Sequence, residues 1–341
     1  MAPVSPPDDP LSDEGLERLF SSLNNASGIL AAVSGGPDSI ALMHGLARWA
    51  AIGQHPPIYV ATVDHGLRPE AAEEAALVAR EAALLNLPHR TLTWAGQKPV
   101  TGIQEAAREA RYRLLVEHAR EAGASHLVTA HTLDDQAETV MMRLSRGSGL
   151  SGLAGMRRDT DRQGIRHLRP LLGLPKSHLL DLCRRNGWRF VTDPSNADER
   201  YARVRWRGLM PLLAAEGLTA ERLARFAERA ARADEALDLK AREALDRGEP
   251  ILEVGTLSFQ AKILTEEPFD IALRVLEQAL TRAGLDLDNS RLHRLESCTE
   301  RLRQAAGAGE ALSLTVAGAH LRLTPGGRVF VGPEPPRHRG R

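Results

Sequence analysis

Short apolar runs alternate with helical segments between residues 28 and 145, and this alternation limits the folds open to the chain. Four runs have the length and composition of buried strands, at residues 29–33, 58–63, 90–94 and 126–130. Each is followed by a segment with helical apolar spacing, at residues 40–50, 70–86, 103–122 and 133–144. Continuous apolar strands separated by helices form a parallel sheet covered on both faces. We therefore predict an α/β fold with a doubly wound parallel sheet.

The rest of the chain predicts a second region of different character. Residues 146–170 are rich in Gly, Ser and Arg, which indicates loops over one edge of the sheet, and a last αβ unit is expected over 168–193. The later chain is mostly helical and closes with three alternating segments typical of a small antiparallel sheet. We expect a disordered extension over 1–14, a catalytic domain over 15–216, a helical domain ending in the small sheet over 217–332, and a flexible tail over 333–341.

Composition excludes several classes of protein. No apolar run approaches the about 18 residues of a membrane span, so an integral membrane protein is excluded. The start of the chain lacks the basic and apolar regions of a secretory signal. The cysteines are Cys183 and Cys298, far apart, which excludes a disulfide scaffold and a cysteine-ligated zinc or iron–sulfur site. We expect a cytoplasmic protein with no membrane partner.

The strongest motif joins the first strand to the first helix and reads Ser34-Gly35-Gly36-Pro37-Asp38-Ser39. Two glycines let the backbone turn tightly and present consecutive N–H groups to an anion. The following helix directs its positive N-terminus to the same place. The two hydroxyls are further donors, and the Asp38 carboxylate suits Mg²⁺. The motif predicts a phosphate site, with a simple Gly-Pro turn before a capped helix as the alternative.

Polar residues also follow the second and fourth strands. Asp64 and His65 end the second strand, where they either contact the adenosine of a bound nucleotide or form a polar turn. After the fourth strand come a histidine and three acids: His131, Asp134, Asp135 and Glu138. Acids in a first helical turn suit the helix dipole. Their clustering instead favours a site for Mg²⁺ or for a cationic amine, with Asp38 and Asp134 as candidate metal ligands.

Arginines concentrate in or beside the predicted catalytic half. Arg108 and Arg111 lie three apart on one helix face, which suits either phosphate contacts or surface salt bridges with Glu105 and Glu109. The formal net charge is zero, which on its own speaks against a nucleic-acid partner. The distribution of basic residues instead predicts a basic stripe and RNA binding that weakens with salt. Its proposed members are Arg108, Arg111, Arg146, Arg157, Arg158, Arg169 and the run from Arg200 to Arg207, which includes Arg205.

Residues 34–39 match the SGGxDS signature of the PP-loop ATP pyrophosphatases, and the wider set of motifs resembles the tRNA(Ile)-lysidine synthetase family. The motifs occur in the family's order over roughly residues 33–207: SGGPDS, VDHGLR, QEAAREARY, TAHTLDDQAET, RLSRGSG, RPLL and DPSNADERYAR. Two positions depart from the family pattern. Thr132 stands where a second histidine is usual, and Val204 stands where an asparagine is usual.

The resemblance implies an enzyme that uses ATP and Mg²⁺ to ligate L-lysine to carbon 2 of the wobble cytidine of tRNA(Ile) with a CAU anticodon. ATP adenylates the carbonyl oxygen at carbon 2, and the lysine ε-amine then displaces AMP. The implied nucleotide-binding residues are Ser34, Gly35, Gly36, Pro37, Asp38, Ser39, Asp64 and His65. The implied catalytic residues are Asp38, Arg108, His131, Asp135, Glu138 and Arg205, with Arg111 as a further phosphate contact.

Two alternatives remain open at this point. Another PP-loop enzyme, such as a tRNA thiolase, would share the nucleotide loop but needs catalytic or cluster cysteines, and Cys183 and Cys298 stand outside every motif. A catalytically silent RNA-binding module would not need the complete loop and acid cluster. The sequence also leaves a homodimer open.

Overall fold

The computed structural model describes residues 12–67, 70–99, 101–192, 202–285, 292–316 and 318–334. Contacts divide the chain into two units, Met1–Ala231 and Arg232–Arg341. The limit between the units falls inside a long helix, α9 (Ala220–Arg247), whereas the sequence places a domain boundary after residue 216. No helix within the described ranges is long and apolar enough to cross a membrane.

The first unit is a sheet wrapped by helices. Its strands are β1 (Ile29–Ala32), β2 (Ile58–Asp64), β3 (His89–Thr93), β4 (His126–Thr129), β5 (Asp159–Arg162) and β6 (Ile165–Leu168). Its helices before α9 are α1 (Asp13–Phe20), α2 (Pro37–Ile52), α3 (Ala71–Leu84), α4 (Ile103–Glu121), α5 (Leu133–Leu144), α6 (Leu150–Leu153), α7 (Lys176–Asn186) and α8 (Ala202–Ala215). Two 3₁₀ turns, Ser21–Leu23 and Pro170–Gly173, complete it.

The strand order of this sheet is β3-β2-β1-β4-β6-β5. All neighbours are parallel except β5, which runs antiparallel to β6 at one edge. The chain moves from β1 to β2 on one side and later returns to β4 on the other, so the strand order reverses at β1. The carboxyl ends of β1 and β4 therefore border the crevice in which open α/β sheets bind ligands. The predicted fold class is confirmed.

Strand β1 is buried along its whole length because helices cover both faces of the sheet. Its side chains alternate between the faces, as strand geometry requires. Ile29 and Ala31 pack in a core with α1, α2, α3 and α7, whereas Leu30 and Ala32 pack in a second core with α4. The apolar run that predicted this strand thus reflects burial on two sides.

The prediction of loops throughout 146–170 is wrong for residues 150–153, which form α6, and for residues 159–168, which form the β5–β6 hairpin. Strand β5 has the sequence Asp-Thr-Asp-Arg and is partly exposed at the sheet edge, so it carries no apolar signal. Strand β6 buries Ile165, His167 and Leu168 beside β4. The hairpin forms because β4 offers a free edge for pairing, which local sequence does not reveal.

The predicted N-terminal extension also needs a correction at its end. Asp13 and Glu14, assigned to the extension over 1–14, belong to α1. Ser12 caps this helix, since the Gly15 N–H donates to Ser12 Oγ at 3.1 Å. Arg48 of α2 pairs with Asp13 at 2.7 Å. A cap followed by acidic residues in the first turn is a helix start, and this signal outweighs the polar composition.

The second unit is an antiparallel sheet with helices. The strands are β7 (Ile251–Glu253), β8 (Thr256–Gln260), β9 (Leu312–Val316), β10 (Ala319–Leu323) and β11 (Arg328–Pro333), in the order β7-β8-β11-β10-β9. The helices after α9 are α10 (Lys262–Glu266), α11 (Phe269–Arg282) and α12 (Leu292–Ala308). The sequence predicted three strands here and missed β7 and β8. Their turn holds Val254 at φ 45°, a conformation that β-branched residues seldom adopt, so no turn was indicated.

Candidate active site

A cavity of about 690 Å³ opens at the carboxyl ends of β1, β2 and β4. Its size is within the range of about 300–1,000 Å³ that small-molecule sites occupy. Residues of the Ser34–Ser39 loop form one wall, and α4, α5, α7 and α8 contribute side chains to the others. The crevice expected from the strand order is thus a formed cavity, and it contains most of the polar residues that the sequence singled out.

The loop from Ser34 to Ser39 is a tight turn into α2. Gly35 has φ 89°, which favours glycine, and Gly36 is the N-cap residue before Pro37. The Ser39 hydroxyl donates to the Gly36 carbonyl at 2.9 Å and accepts from the Ser34 N–H at 3.1 Å. Ser39 is thus one of the groups that shape the loop. Helix α2 begins at this loop, so its positive N-terminus lies where the motif predicts an anion.

Asp38 lies in the first turn of α2, with its side chain on the cavity wall. Its Oδ2 is 3.1 Å from Lys176 Nζ, and its Oδ1 is buried without a hydrogen-bond partner among the described residues. Burial raises the pKa of Asp38 above its usual value, although Lys176 opposes the shift; Asp135 and Asp134 add to it. Asp38 is therefore a carboxylate whose charge is incompletely compensated and which would gain from a bound cation.

Lys176 is a residue of this site that the sequence analysis missed. It begins α7, and its backbone N–H donates to Asp134 Oδ2 at 2.7 Å. Asp134 thereby caps α7 and holds Lys176 beside Asp38. Asp134 is not among the described residues that line the cavity. The sole local signal for Lys176 was a Pro-Lys pair at a helix start, which is common at helices without function.

Thr132 and Asp135 form a reciprocal capping box at the start of α5. The Thr132 N–H and hydroxyl each donate to Asp135 Oδ2 at 2.9 Å, and the Asp135 N–H donates to Thr132 Oγ1 at 3.3 Å. Burial opposes the charge of Asp135, but the hydrogen bonds from the Thr132 N–H and hydroxyl lower its pKa. The departure from the family pattern at Thr132 thus supplies the cap of the helix that carries the acids.

Glu138 lies one turn further along α5 and is 2% exposed. Arg207 of α8 donates to it through Nε, 2.8 Å from Oε1, and Nη2, 3.4 Å from Oε2. Burial raises the pKa of Glu138 even though Arg207 lowers it. Arg207 lines the cavity, whereas Glu138 is not among the described residues that line it. Glu138 therefore positions Arg207.

The two residues predicted after β2 differ in their surroundings. The Asp64 carboxylate accepts the Gly66 N–H at 2.8 Å, as in the polar turn that the sequence left open. His65 lines the cavity and meets Trp94 edge-on, with ring centroids 6.1 Å apart. Burial and the nearby Arg111 lower the pKa of His65, and its Nδ1 is buried without a partner in the described part of the chain.

The predicted arginines divide between the cavity and its surroundings. Arg111 lines the cavity, while Arg108 lies outside it and is exposed. Neither forms an ion pair with a carboxylate in the ranges described, so the surface salt bridges with Glu105 and Glu109 are absent there. Both instead lie over the Tyr112 ring, at 5.2 Å for Arg108 and 5.9 Å for Arg111.

Helix α8 brings two arginines to the cavity at a helical spacing. Arg203 and Arg207 are four residues apart and both line it, whereas the predicted Arg205 is exposed on another face. Trp206, Met210 and Leu213 form an apolar stripe beside these two arginines, and this stripe packs on α5 and α9. The apolar stripe fixes the rotation of α8 and thereby selects which arginines enter the site.

Other members of the predicted basic stripe are spread over different environments. Arg146 and Arg158 are exposed, but Arg169 is 5% exposed and donates to the Arg157 carbonyl at 2.6 Å, so it is part of the interior. Arg68 and the segment 193–201, which carries most of the DPSNADERYAR motif, lie outside the described residues.

His131 follows β4 and lines the cavity beside Asp135. Its Nδ1 is 2.8 Å from Thr129 Oγ1. Burial, aided by Arg111, Arg169 and Arg203, lowers the pKa of His131 to about 3 despite the opposing charge of Asp135. The histidine is therefore neutral in the site at physiological pH.

Comparison with known proteins finds a nucleotide-binding domain family and tRNA-modifying enzymes among the matches to this chain. The PP-loop domain family matches residues 10–213. A tRNA(Ile)-lysidine synthase of Methylobacterium nodulans is 53% identical over 92% of this chain and 93% of its own length. A tRNA(Ile)-lysidine synthase of Rhodopseudomonas palustris is 50% identical over 95% of each chain.

A solved structure shares the fold at much lower identity. A U34-tRNA thiolase from Methanococcus maripaludis, determined with its [4Fe-4S] cluster, superimposes with a TM-score of 0.56 and 16% identity, covering 64% of this chain and 77% of its own. At this identity the likeness concerns the fold alone. The identity and coverage of the curated relatives confirm the resemblance drawn from the motifs. The chain belongs to the tRNA(Ile)-lysidine synthase family and carries its PP-loop domain in the first unit.

Proposed function

We propose that this chain ligates L-lysine to carbon 2 of the wobble cytidine of tRNA(Ile) with a CAU anticodon, at the expense of ATP. The carbonyl oxygen at carbon 2 attacks the α-phosphorus, a new O–P bond forms and pyrophosphate leaves. The lysine ε-amine then attacks carbon 2, a C–N bond forms, AMP leaves and one amine proton is released. The observation that carries the proposal is the Ser34–Ser39 loop, which opens with Asp38 into a cavity at the switch point of the sheet.

ATP is expected to lie with its phosphates against the loop and the N-terminus of α2. The backbone of Gly35 and Gly36 and the hydroxyl of Ser34 are the proposed donors, and Lys176 and Arg111 add positive charge to the cavity lining. Charge of this kind, fixed before the reaction, stabilises a phosphoryl group during transfer without reorganisation. His65 at the end of β2 suits the adenosine end of the nucleotide.

Magnesium suits the donor set at Asp38. Asp38 Oδ1 is buried and unpartnered among the described residues, and a carboxylate oxygen is a ligand that Mg²⁺ prefers. No group of three or more metal-ligating side chains occurs in the described ranges, which fits an ion held by one or two carboxylates together with substrate phosphates. Asp134 is the candidate second carboxylate. It accepts a hydrogen bond from the backbone N–H of Lys176, whose side chain pairs with Asp38. When bound, such an ion neutralises phosphate charge.

Asp135 is the candidate group for holding the lysine ammonium. It lines the cavity, and its lowered pKa keeps it ionised. Glu138 acts through Arg207, which shares the cavity with Asp135. The charges of Asp135 and Arg207 suit the ammonium and carboxylate groups of a free amino acid, since each end meets an opposite charge.

The cytidine must leave the anticodon stack to enter this cavity. Arg108, Arg203 and Arg205 are the candidates for contacts to the tRNA backbone near the cavity, because arginine binds phosphate oxygens in a bidentate manner. The second unit is proposed to bind tRNA away from the anticodon. A cytoplasmic location and a homodimer are further proposals that the sequence leaves open.

The cysteines argue against the thiolase alternative. Cys183 is buried and donates to the Pro37 carbonyl at 3.4 Å, and burial raises the pKa of its thiol to about 11. A nucleophilic cysteine needs a lowered pKa and access to substrate. Cys298 is buried in the core of the second unit. Neither thiol suits sulfur transfer.

Analysis of the modified nucleoside tests the proposal. A tRNA(Ile) transcript with a CAU anticodon is incubated with the protein, ATP, Mg²⁺ and lysine, then digested and analysed by mass spectrometry. We expect a cytidine derivative that carries one lysine. A sulfur-containing cytidine, formed when a sulfur donor is added, would support the thiolase alternative instead.

A further inference from the structure

A buried chain of hydrogen bonds leads from two arginines to His131. Thr129 Oγ1 lies 2.8 Å from His131 Nδ1 and 2.9 Å from His167 Nε2. The other nitrogen of His167, Nδ1, is 3.0 Å from Arg162 Nε and 3.1 Å from Arg169 Nη2. Thr129, His167 and Arg169 are all buried. We call this set the histidine relay.

The arginines fix the direction of every bond in the histidine relay. A guanidinium has donors and no acceptor, so His167 Nδ1 accepts from Arg162 and Arg169 and carries no proton. A neutral His167 therefore has its proton on Nε2, and this N–H donates to Thr129 Oγ1. Burial, together with Arg169 and Arg162, lowers the pKa of His167 to about 2, which agrees with a neutral ring.

The Thr129 hydroxyl accepts from His167 and has a single proton of its own to donate, and this proton determines the tautomer of His131. Within the described part of the chain, His131 Nδ1 is the acceptor within reach of this buried hydroxyl. If His131 Nδ1 carried a proton, the buried Thr129 hydroxyl would be left without an acceptor, and an unsatisfied buried donor is unfavourable. His131 Nδ1 is thus unprotonated, and the proton of the neutral ring sits on Nε2.

We propose that His131 serves the adenylation step as a neutral hydrogen-bond donor, its Nε2–H directed at an anionic phosphoryl oxygen of the nucleotide, and that Thr129, His167, Arg162 and Arg169 are positioning residues that hold it in this tautomer. His131 lines the same cavity as the Ser34–Ser39 loop, and its Nε2 has no hydrogen-bond partner among the described residues. The naming of the phosphoryl oxygen rests on the proposed function, whereas the tautomer rests on the hydrogen bonds alone.

This role differs from that of a general base. A base would need an unprotonated nitrogen facing the substrate, and the histidine relay places the unprotonated nitrogen against Thr129. The charged groups around His131 are Asp135 on α5, Arg111 on α4, Arg203 on α8 and Arg169 after β6. Three of these four are cations, which disfavour a second proton on the ring. A neutral imidazole in this setting stabilises a developing negative charge without itself changing protonation state.

The tautomer is measured directly by nitrogen NMR of the protein labelled with ¹⁵N-histidine. The ring nitrogens of His131 are assigned by comparison with His131→Gln and followed between pH 5 and pH 8. We expect an unprotonated Nδ1 and a protonated Nε2 throughout. A proton on Nδ1, or titration of His131 within this range, would overturn the inference. This readout needs no catalysis, so it stands apart from any failure of the proposed function.

Two pairs of variants test the contribution to the reaction. His131→Gln keeps an N–H near the position of Nε2, whereas His131→Ala removes it. In tRNA-dependent pyrophosphate release from ATP, we expect His131→Ala to be about 100-fold slower, the effect of losing one preorganised donor, and His131→Gln to retain most of the rate. Equal losses in both variants would contradict a donor role.

The second pair concerns Thr129. Thr129→Ser keeps the bridging hydroxyl and should preserve the His131 tautomer. Thr129→Val has nearly the same shape but lacks the hydroxyl, so the Nδ1-protonated tautomer of His131 should appear in the spectrum and pyrophosphate release should slow. If Thr129→Val leaves the His131 spectrum unchanged, Thr129 has no positioning role and the histidine relay is refuted.

Discussion

The guanidinium of Arg207 contacts both carboxylate oxygens of Glu138, with Nε 2.8 Å from Oε1 and Nη2 3.4 Å from Oε2. The contact joins α8 to α5 and sets the position of a cation on the cavity wall. It also leaves Glu138 almost wholly buried and dependent on a single basic partner among the described residues.

Arg207→Ala should therefore destabilise the protein in a pH-dependent manner. Burial already raises the pKa of Glu138, and without Arg207 the ionised carboxylate loses its ion pair and keeps only the weaker attraction of Arg203. We expect a loss of about 1–3 kcal/mol in the free energy of unfolding at pH 8. The loss should diminish as the pH falls through the raised pKa, because protonation removes the buried charge. Urea unfolding at pH 5 and pH 8 measures both values.

The control is the double variant Glu138→Gln with Arg207→Ala, which removes the charge and its partner together. It should be more stable at pH 8 than Arg207→Ala alone. Equal destabilisation of the single variant at pH 5 and pH 8 would mean that Arg207 contributes by packing on α5 and not through the charge of Glu138.

Asp38→Asn should separate activity from stability. The folded-state pKa of Asp38 is raised, so its ionised form is disfavoured in the folded protein. The resulting destabilisation is absent below the ordinary pKa and develops as the pH rises through the raised value. The variant does not titrate and should thus be more stable than the natural protein at pH 8, with the difference vanishing near pH 4. Thermal unfolding at both pH values measures this.

The same variant should release no pyrophosphate from ATP while still binding tRNA, because the carboxylate that suits Mg²⁺ is gone. Glu14→Gln, an exposed acid in α1, is a control that should leave pyrophosphate release intact. If Asp38→Asn lost stability at pH 8 together with tRNA binding, Asp38 would have a folding role instead of a role at the nucleotide.

Thr132→Ala should weaken the start of α5. The substitution removes the hydroxyl that accepts from Asp135 N–H and donates to Asp135 Oδ2. Loss of an N-cap side chain costs about 1 kcal/mol, and Thr132→Ser should restore most of it. Chemical denaturation of the two variants measures the difference. A Thr132→Ala protein as stable as the serine variant would show that the capping box contributes little here.

The elements of the sheet show where sequence reasoning succeeds. Strands β1 and β4 are short, mainly apolar runs buried on both faces. These runs, together with the glycines of the loop after β1, predicted where the site lies. Strand β5 was missed because Asp159-Thr160-Asp161-Arg162 has no apolar residue and forms through edge pairing alone. The residues of β5 do not by themselves indicate that β6 offers a free sheet edge for pairing.

The site was predicted best where its residues come directly after a strand. His131 and the loop around Asp38 fall in this class. Lys176 and Arg207 enter the cavity because Asp134 caps α7 and because the apolar stripe of α8 packs on α5, and both relations are tertiary. The same packing explains why Arg207 lines the cavity in preference to the predicted Arg205.

Binding of tRNA should weaken steeply as salt rises. Each arginine–phosphate contact releases about one counterion, so Arg108→Ala and Arg203→Ala should each reduce the slope of log affinity against log salt by about 1. Arg90, which pairs with Glu121 at 2.7 Å, provides the matched control, and Arg90→Ala should leave the slope unchanged. Filter binding at salt concentrations from about 50 to about 200 mM measures these slopes. Equal slopes in all three variants would remove Arg108 and Arg203 from the proposed interface.

Incorporation of radioactive lysine into tRNA is the direct test of the proposed ligation. The protein is incubated with ATP, Mg²⁺, labelled lysine and a tRNA(Ile) transcript with a CAU anticodon, with a transcript whose wobble cytidine is replaced by uridine as control. We expect one lysine per CAU transcript, one AMP and one pyrophosphate per lysine, and no label on the control. Release of pyrophosphate without lysine incorporation, or equal label on both transcripts, would contradict it.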